Sequence, residues 1–184
     1  SDVKRKTIPT VIFVVLFSLL ISCSYNLNPG TFSNTVAAAP TVFNTNITSW
    51  LSAVTVDGGN AMIAFQDQPS GGFGHTVLVN SNAAPLTGIN QYTASYNEKN
   101  SAVRLGNGNV MIASYNGTDG VLSVVNSTGT PVIGPITFKS GYLNCVSAAL
   151  LLNGNVLLAY SDGTVTETLV VDVNGTTQSG PYPV

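Results

Sequence analysis

The chain has 184 residues, 44% of them hydrophobic and only 8% charged, with a formal net charge of −2. Past Cys23, three basic residues (Lys99, Arg104, Lys139) stand against seven acidic ones. A basic stripe able to track a phosphate backbone is therefore absent, and nucleic acid is excluded as the expected partner.

In chain order, Lys4-Arg5-Lys6 forms a basic cluster and Thr10 to Ile21 an almost unbroken apolar run of about a dozen residues. A helix needs ~20 residues to cross a ~30 Å hydrocarbon core, so the run is too short to span and fits the apolar region of an export signal. It closes on Leu20-Ile21-Ser22-Cys23, which resembles the lipobox of bacterial lipoproteins. That resemblance implies a signal peptide over 1–22, lipidation of the Cys23 thiol, and a linker over 23–38. With Ser24 rather than an aspartate after the cysteine, it also implies the outer membrane or cell surface as the address, and the membrane as a partner through the lipid. An ordinary secretory signal or a short N-terminal anchor is the alternative. A lipidated Cys23 has no thiol left for a disulfide with Cys145, which is expected to be a buried free thiol.

From 39 onward the chain repeats itself. Ser101-Ala-Val-Arg-Leu-Gly-Asn-Gly-Asn-Val-Met-Ile-Ala is echoed from Ser147 and, more loosely, from Ser52; anchored on Asn60, Asn109 and Asn155, the periods are 49 and 46 residues. A fixed period of this size means stacked supersecondary units. In the middle unit Ser101–Leu105 is β-prone, and Gly106-Asn107-Gly108-Asn109 predicts a two-residue hairpin with positive φ. Val110–Tyr115 is apolar enough to be buried on both faces. Asn116–Gly120 turns the chain into a third strand, Val121–Val125, and Gly134-Pro135 is expected to open a fourth, where a missing N–H is least costly. Gly88, Gly134 and Gly180 recur every 46 residues and extend the register across the whole unit. Ala39-Pro40-Thr41-Val42-Phe43 reads as one more fourth strand.

Four antiparallel strands in ~45 residues are one blade of a β-propeller. A single blade cannot bury both faces, so blades pack on one another. The expected fold is all-β and propeller-like over 39–184, with three four-stranded blades over about 50–96, 99–143 and 145–184. The second strands (Ala61–Phe65, Val110–Ala113, Val156–Tyr160) are expected as the inner layers. Closed propellers have about four to eight blades, so three predict an incomplete ring, either continued beyond a fourth strand cut at Val184 or left as an open arc that needs a partner. Open blade faces would favour self-association. The stretch Asn153 to Gly163 resembles the propeller repeats of exported bacterial lipoproteins of unassigned function, a likeness that argues for fold rather than activity.

Asp67, Asp119 and Asp162 recur just after the second strands. Such short acids cap turns first, and otherwise would line one rim; no loop offers the six to eight oxygens calcium takes, so no metal and no cofactor is expected. His75, the only histidine, has no nucleophile or orienting carboxylate placed beside it, so no catalytic residue is assigned and it is expected at a surface or strand edge. Phe65, Tyr115 and Tyr160 are read as equivalent packing residues. Trp50, Phe73 and Tyr142 fall near strand ends or loops and are the candidate contacts for a carbohydrate or protein ligand. The function these features predict is a lipid-anchored binding or scaffolding module at the cell envelope. The competing class is a fragment of a propeller-fold carbohydrate-active enzyme whose catalytic residues lie in missing blades.

Overall fold

In the computed structural model, which describes residues 41–184, twelve strands form three four-stranded antiparallel sheets. Blade 1 comprises β1 (Thr48–Thr55), β2 (Ala61–Asp67), β3 (Phe73–Val79) and β4 (Asn90–Tyr96). Blade 2 comprises β5 (Glu98–Arg104), β6 (Val110–Tyr115), β7 (Gly120–Val125) and β8 (Pro131–Lys139). Blade 3 comprises β9 (Cys145–Leu150), β10 (Val156–Ser161), β11 (Thr166–Val171) and β12 (Thr177–Pro183). Each blade is laid down in sequence order. The fold is thus all-β, three blades of an incomplete propeller-like ring, and the third blade, like the other two, has four strands.

The hairpin turns are built differently from the two-residue form the Asn-Gly pairs suggest. Leu105 N–H donates to Asn109 O and Gly108 N–H to Leu105 O, and only Gly108 has positive φ (86°). This is a type I turn followed by a left-handed residue. The same pair of bonds closes Asn126–Thr130, Leu151–Asn155 and Asp172–Thr176. The asparagine just before that glycine (Asn107, Asn153, Asn174) keeps negative φ, and at the first position of its turn Asn126 Oδ1 receives the N–H groups of Thr128 and Thr130.

Burial along the second strands shows which faces are covered. β6 is buried at five consecutive residues, because Val110 and Ile112 pack toward blade 1 while Met111 and Ala113 pack toward blade 3. Its homologue β10 alternates: Val156, Leu158 and Tyr160 are buried against blade 2, whereas Leu157, Ala159 and Ser161 are only half-buried. In β2, Met62 and Ala64 enter the core shared with blade 2, and Phe65 joins Val77 and Val79 on the other face. Period-two alternation sends neighbouring residues to opposite faces, so a strand buried throughout needs a blade on each side.

The second strands occupy the middle of each blade, not its inner layer. It is the first strands that meet: β1 lies against β5, and β5 against β9. A repeated contact joins them. Ser52 Oγ accepts the Ala102 N–H at 2.9 Å, and Ser101 Oγ, its equivalent one blade on, accepts the Ala148 N–H at 2.9 Å. A first strand is short of ladder partners on its inner edge, and these serines supply one each.

Three further sequence readings are corrected. Thr41–Phe43 is not a strand; Phe43 instead packs on Phe65 with ring centroids 5.4 Å apart, and Ala39 and Pro40 lie outside the described residues. Gly134-Pro135 and Gly180-Pro181 fall inside β8 and β12 rather than at their starts, each at a shift in register and each a cis peptide. Outermost strands tolerate proline because no further ladder needs its N–H. Phe65 and Tyr160 are equivalent but Tyr115 is one residue further along, since Ala64, Ala113 and Ala159 pair with the matching serines Ser52, Ser101 and Ser147.

Candidate functional site

The pairing registers gather one end of every strand onto a single rim. In blade 1 the row runs Thr48, Asp67, Phe73, Tyr96; in blade 2, Glu98, Tyr115, Gly120, Lys139; in blade 3 it begins Cys145, Ser161, Thr166. All the described candidate residues from the sequence lie on or beside this rim, with Trp50 innermost. Cys23 and the export segment lie outside the described residues.

Where the first strands converge, the rim holds a cleft of ≈ 210 Å³ lined by Trp50, Lys99, Asn100, Asn144, Cys145 and Val146. Its walls come from local irregularity. β1 and β5 each carry a bulge, between Ser49 and Ser52 and between Glu98 and Ser101. Trp50 (φ 53°) and Lys99 (φ 58°) sit in these bulges with left-handed backbone, at equivalent positions. Such a conformation is costly for non-glycine residues and marks a place where the chain re-aims a side chain. β9 pairs without a bulge, so Cys145, the third equivalent residue, stays in the regular ladder.

Lys99 is held rather than free. Its Nζ lies 4.4 Å from the Tyr142 ring centroid and 4.8 Å from that of Tyr115, donates to Leu143 O, and reaches Tyr142 Oη at 3.3 Å. The two tyrosine rings meet edge-on at 5.5 Å. This cation–π contact fixes the connection between β8 and β9, and so fixes Tyr142 on the rim. Asn100 is also engaged on both sides: its Nδ2 donates to Trp50 O at 2.9 Å, and its Oδ1 lies 3.0 Å from Tyr92 Oη. Tyr92 is buried, which raises its hydroxyl's pKa well above the ordinary tyrosine range, against the lowering effect of its bond to Asn97. The groups left facing solvent in the cleft are the Trp50 indole, 46% exposed, the Asn144 amide and the Cys145 thiol.

Trp50 and Tyr142 are thus brought to the same cleft border, whereas Phe73 stands two strands out from Trp50, about 10 Å at the usual strand spacing. Phe73 is half-buried beneath Gly71. The three acids sit on the rim but are spent locally. Asp162 accepts from the Thr164 hydroxyl at 2.7 Å and from the Thr164 and Val165 N–H groups, with Lys139 Nζ at 3.4 Å. These bonds to its charged form hold its carboxyl well below the usual carboxylate range. Asp119 accepts the Gly141 N–H at 2.8 Å. Asp67 is nearly buried, within 3.4 Å of the Asn44 and Asn46 amides. Among the described residues no three of His, Cys, Asp and Glu converge on a metal-sized site.

Two expectations are overturned at this end. Cys145 is exposed, because without a bulge the first residue of β9 stays at the strand's solvent end. His75 is buried inside blade 1, stacked on Phe65 at 5.9 Å, with Nδ1 3.1 Å from Phe73 O. Sequence reasoning missed Lys99, Asn100, Asn144 and Cys145 as cleft residues. The available signal was positional: Trp50, Lys99 and Cys145 each stand two residues before a repeat's serine.

The cleft is small beside ordinary ligand pockets of ≈ 300–1,000 Å³. It suits the end of a ligand, one ring or one side chain, stacked on an indole and hydrogen-bonded to an amide.

The fold and site together define an incomplete propeller-like ring with a small cleft at its inner rim. No family model and no curated protein matches the sequence. The crystal structure of a protein of unknown function from Bacteroides caccae is similar at 18% identity with a TM-score of 0.49, over 72% of this chain and 45% of that one. The chain therefore spans less than half the length of that protein.

Proposed function

We propose that this protein is an exported, lipid-anchored binding module of the cell envelope, carrying propeller-type repeats and using the inner rim of its blades to hold a carbohydrate or protein ligand. The observation that carries the reading is Trp50: an indole nearly half exposed, held in left-handed backbone and tied through its carbonyl to Asn100 of the next blade. Burying that ring against core residues would be the ordinary outcome; presenting it beside the Asn144 amide over a cleft favours stacking on a ligand. Loops and strand ends on a rigid scaffold are where such contacts are usually made. The address rests on Lys4-Arg5-Lys6, the apolar run and Cys23.

Trp50 is the only tryptophan in the chain, so its fluorescence reports the cleft directly. Titration with envelope oligosaccharides and with peptides should produce a saturable change in emission, and calorimetry on Trp50→Ala should show affinity reduced about tenfold or more, the scale of removing an aromatic anchor. Unchanged affinity in Trp50→Ala would remove the cleft from the proposal. The address is tested separately by labelled-palmitate incorporation, expected in the native chain and lost in Cys23→Ala.

A further inference from the structure

We infer that the cleft at the inner rim takes a single uncharged sugar ring, the terminal residue of a glycan. The inference rests on the cleft being a binding site, as proposed above, and adds the class of ligand. Charge decides the first step. The one cation among the lining residues is Lys99, whose side chain is only 10% exposed. Its ammonium is taken up by Leu143 O, by Tyr142 Oη and by the rings of Tyr115 and Tyr142, with Glu98 Oε2 at 3.9 Å. Among the described residues no acid lines the cleft, and Glu98 accepts from the Tyr96 hydroxyl. A carboxylate, phosphate or ammonium entering the cleft would shed water with no opposite charge free to meet it, a cost that one amide does not offset.

The backbone decides the second step. Extended peptides are held largely through main-chain N–H and C=O groups at a sheet edge, and around the cleft those groups are already engaged. Trp50 O accepts from Asn100 Nδ2 at 2.9 Å, Leu143 O accepts from Lys99, and Asn144 N–H donates to Ser161 O at 2.7 Å. Recognition is left to side chains: the Trp50 indole, the exposed Asn144 amide, and the apolar wall of Cys145 and Val146. A pyranose ring matches that set. One of its faces is made of C–H bonds that lie flat on an indole, and its edge carries neighbouring hydroxyls that both donate and accept, as an amide's Nδ2 and Oδ1 require. A cleft of ≈ 210 Å³ lies below the ordinary pocket range of ~300–1,000 Å³, so it holds one ring and leaves the next residue of the glycan outside.

The test titrates the whole chain, in mild detergent, with short oligosaccharides matched except at the terminal residue: glucose against glucuronate, galactose against galacturonate, mannose against mannuronate. A neutral tyrosine-containing peptide is the further ligand, and Trp50 emission and calorimetry are the readouts. At least one neutral sugar should bind saturably, with its uronate about tenfold or more weaker. Its affinity should hold between about 0.1 M and 1 M salt, because no charge pair is there to be screened. It should fall about fivefold in Asn144→Ala, the loss of one hydrogen bond. A uronate that binds better than its neutral mate and is released by salt would overturn the inference while leaving the cleft a binding site. A peptide that moves Trp50 emission where no neutral sugar does would do the same. Sugar binding unchanged in both Trp50→Ala and Asn144→Ala would overturn the inference and the cleft together.

Discussion

Replacing the three register glycines by alanine separates two kinds of position that share one 46-residue spacing. At Gly134 the backbone φ is +103°, and an added Cβ would stand 2.5 Å from Leu122 O and 2.9 Å from Ser123 Cα. Both obstacles are backbone, so no side chain can swing aside. The conformation alone costs an L-residue about 1–3 kcal/mol. Relieving the overlap means lifting β8 from β7 at the Leu122–Ile136 and Val124–Ile133 pairs. The total should be about 3 kcal/mol or more, a large share of an ordinary domain stability of ~5–15 kcal/mol. Gly180 repeats the situation one blade on, with φ +94° and Thr168 O at 2.7 Å. Gly88 shares the 46-residue register but would meet nothing within 4 Å, so Gly88→Ala should stay within about 0.5 kcal/mol of wild type. Urea unfolding followed by far-UV circular dichroism gives the comparison as midpoint shifts at constant slope. Equal shifts for Gly88→Ala and Gly134→Ala would refute the close-approach argument.

Three other outcomes follow from the same geometry. Leu158→Ala should cost about 2–5 kcal/mol in the same unfolding assay, because Leu158 is fully buried between blades 2 and 3. Asp162 has its carboxyl pKa depressed by bonds to Thr164 and Val165. Its contribution is therefore full above the unfolded carboxylate value and lost as pH falls below about 4, so acid titration of Asp162→Asn should lose less stability over that range than wild type. Tyr160 is pushed up to about 12 by burial first and by Glu167 second; its neutral form stabilises the fold below the unfolded tyrosine value of about 10, and that contribution fades as pH rises through 12. Alkaline unfolding should accordingly soften in Tyr160→Phe.

The sequence carried the blade count because the turns and alternating strands are local. Leu105–Asn109 and its three counterparts are closed by residues at most four apart, and the apolar run of β6 announced a strand covered on both sides. What escaped was set by neighbours distant in sequence. Gly88 shares the 46-residue register with Gly134 and differs locally in lacking the proline that follows it; the close approach itself is set by where β7 lies. The bulges that turn Trp50 and Lys99 exist because one extra residue opposes β2 and β6, a fact of pairing that the serine repeat hides. His75 looked like a surface residue because its cover, Phe65, is a β2 residue matched to it only by strand register. The candidate aromatics were legible as strand-end residues, but the lysine that fixes one of them was not, since it acts across 43 residues of chain.

Asn100 is the residue through which fold and cleft are joined, and its removal should affect the two unequally. Its amide links the Trp50 carbonyl of blade 1 to the Tyr92 hydroxyl. Tyr92 has a second acceptor, Asn97 Oδ1 at 2.9 Å, so in Asn100→Ala the buried hydroxyl remains satisfied. The stability loss should then be that of an ordinary hydrogen bond, about 1 kcal/mol. Trp50 has no such reserve: its carbonyl loses the bond to the neighbouring blade, in a bulge whose left-handed backbone already costs energy. The indole should become more mobile and more hydrated, seen as a red shift of its emission and a severalfold weaker binding of whatever ligand quenches it. Asn100→Asp keeps the acceptor for Tyr92 but not the donor to Trp50, and should reproduce the optical change. Were Asn100→Ala to cost 3 kcal/mol or more with Trp50 emission unmoved, Asn100 would be a structural tie between blades and not a positioning residue for the cleft.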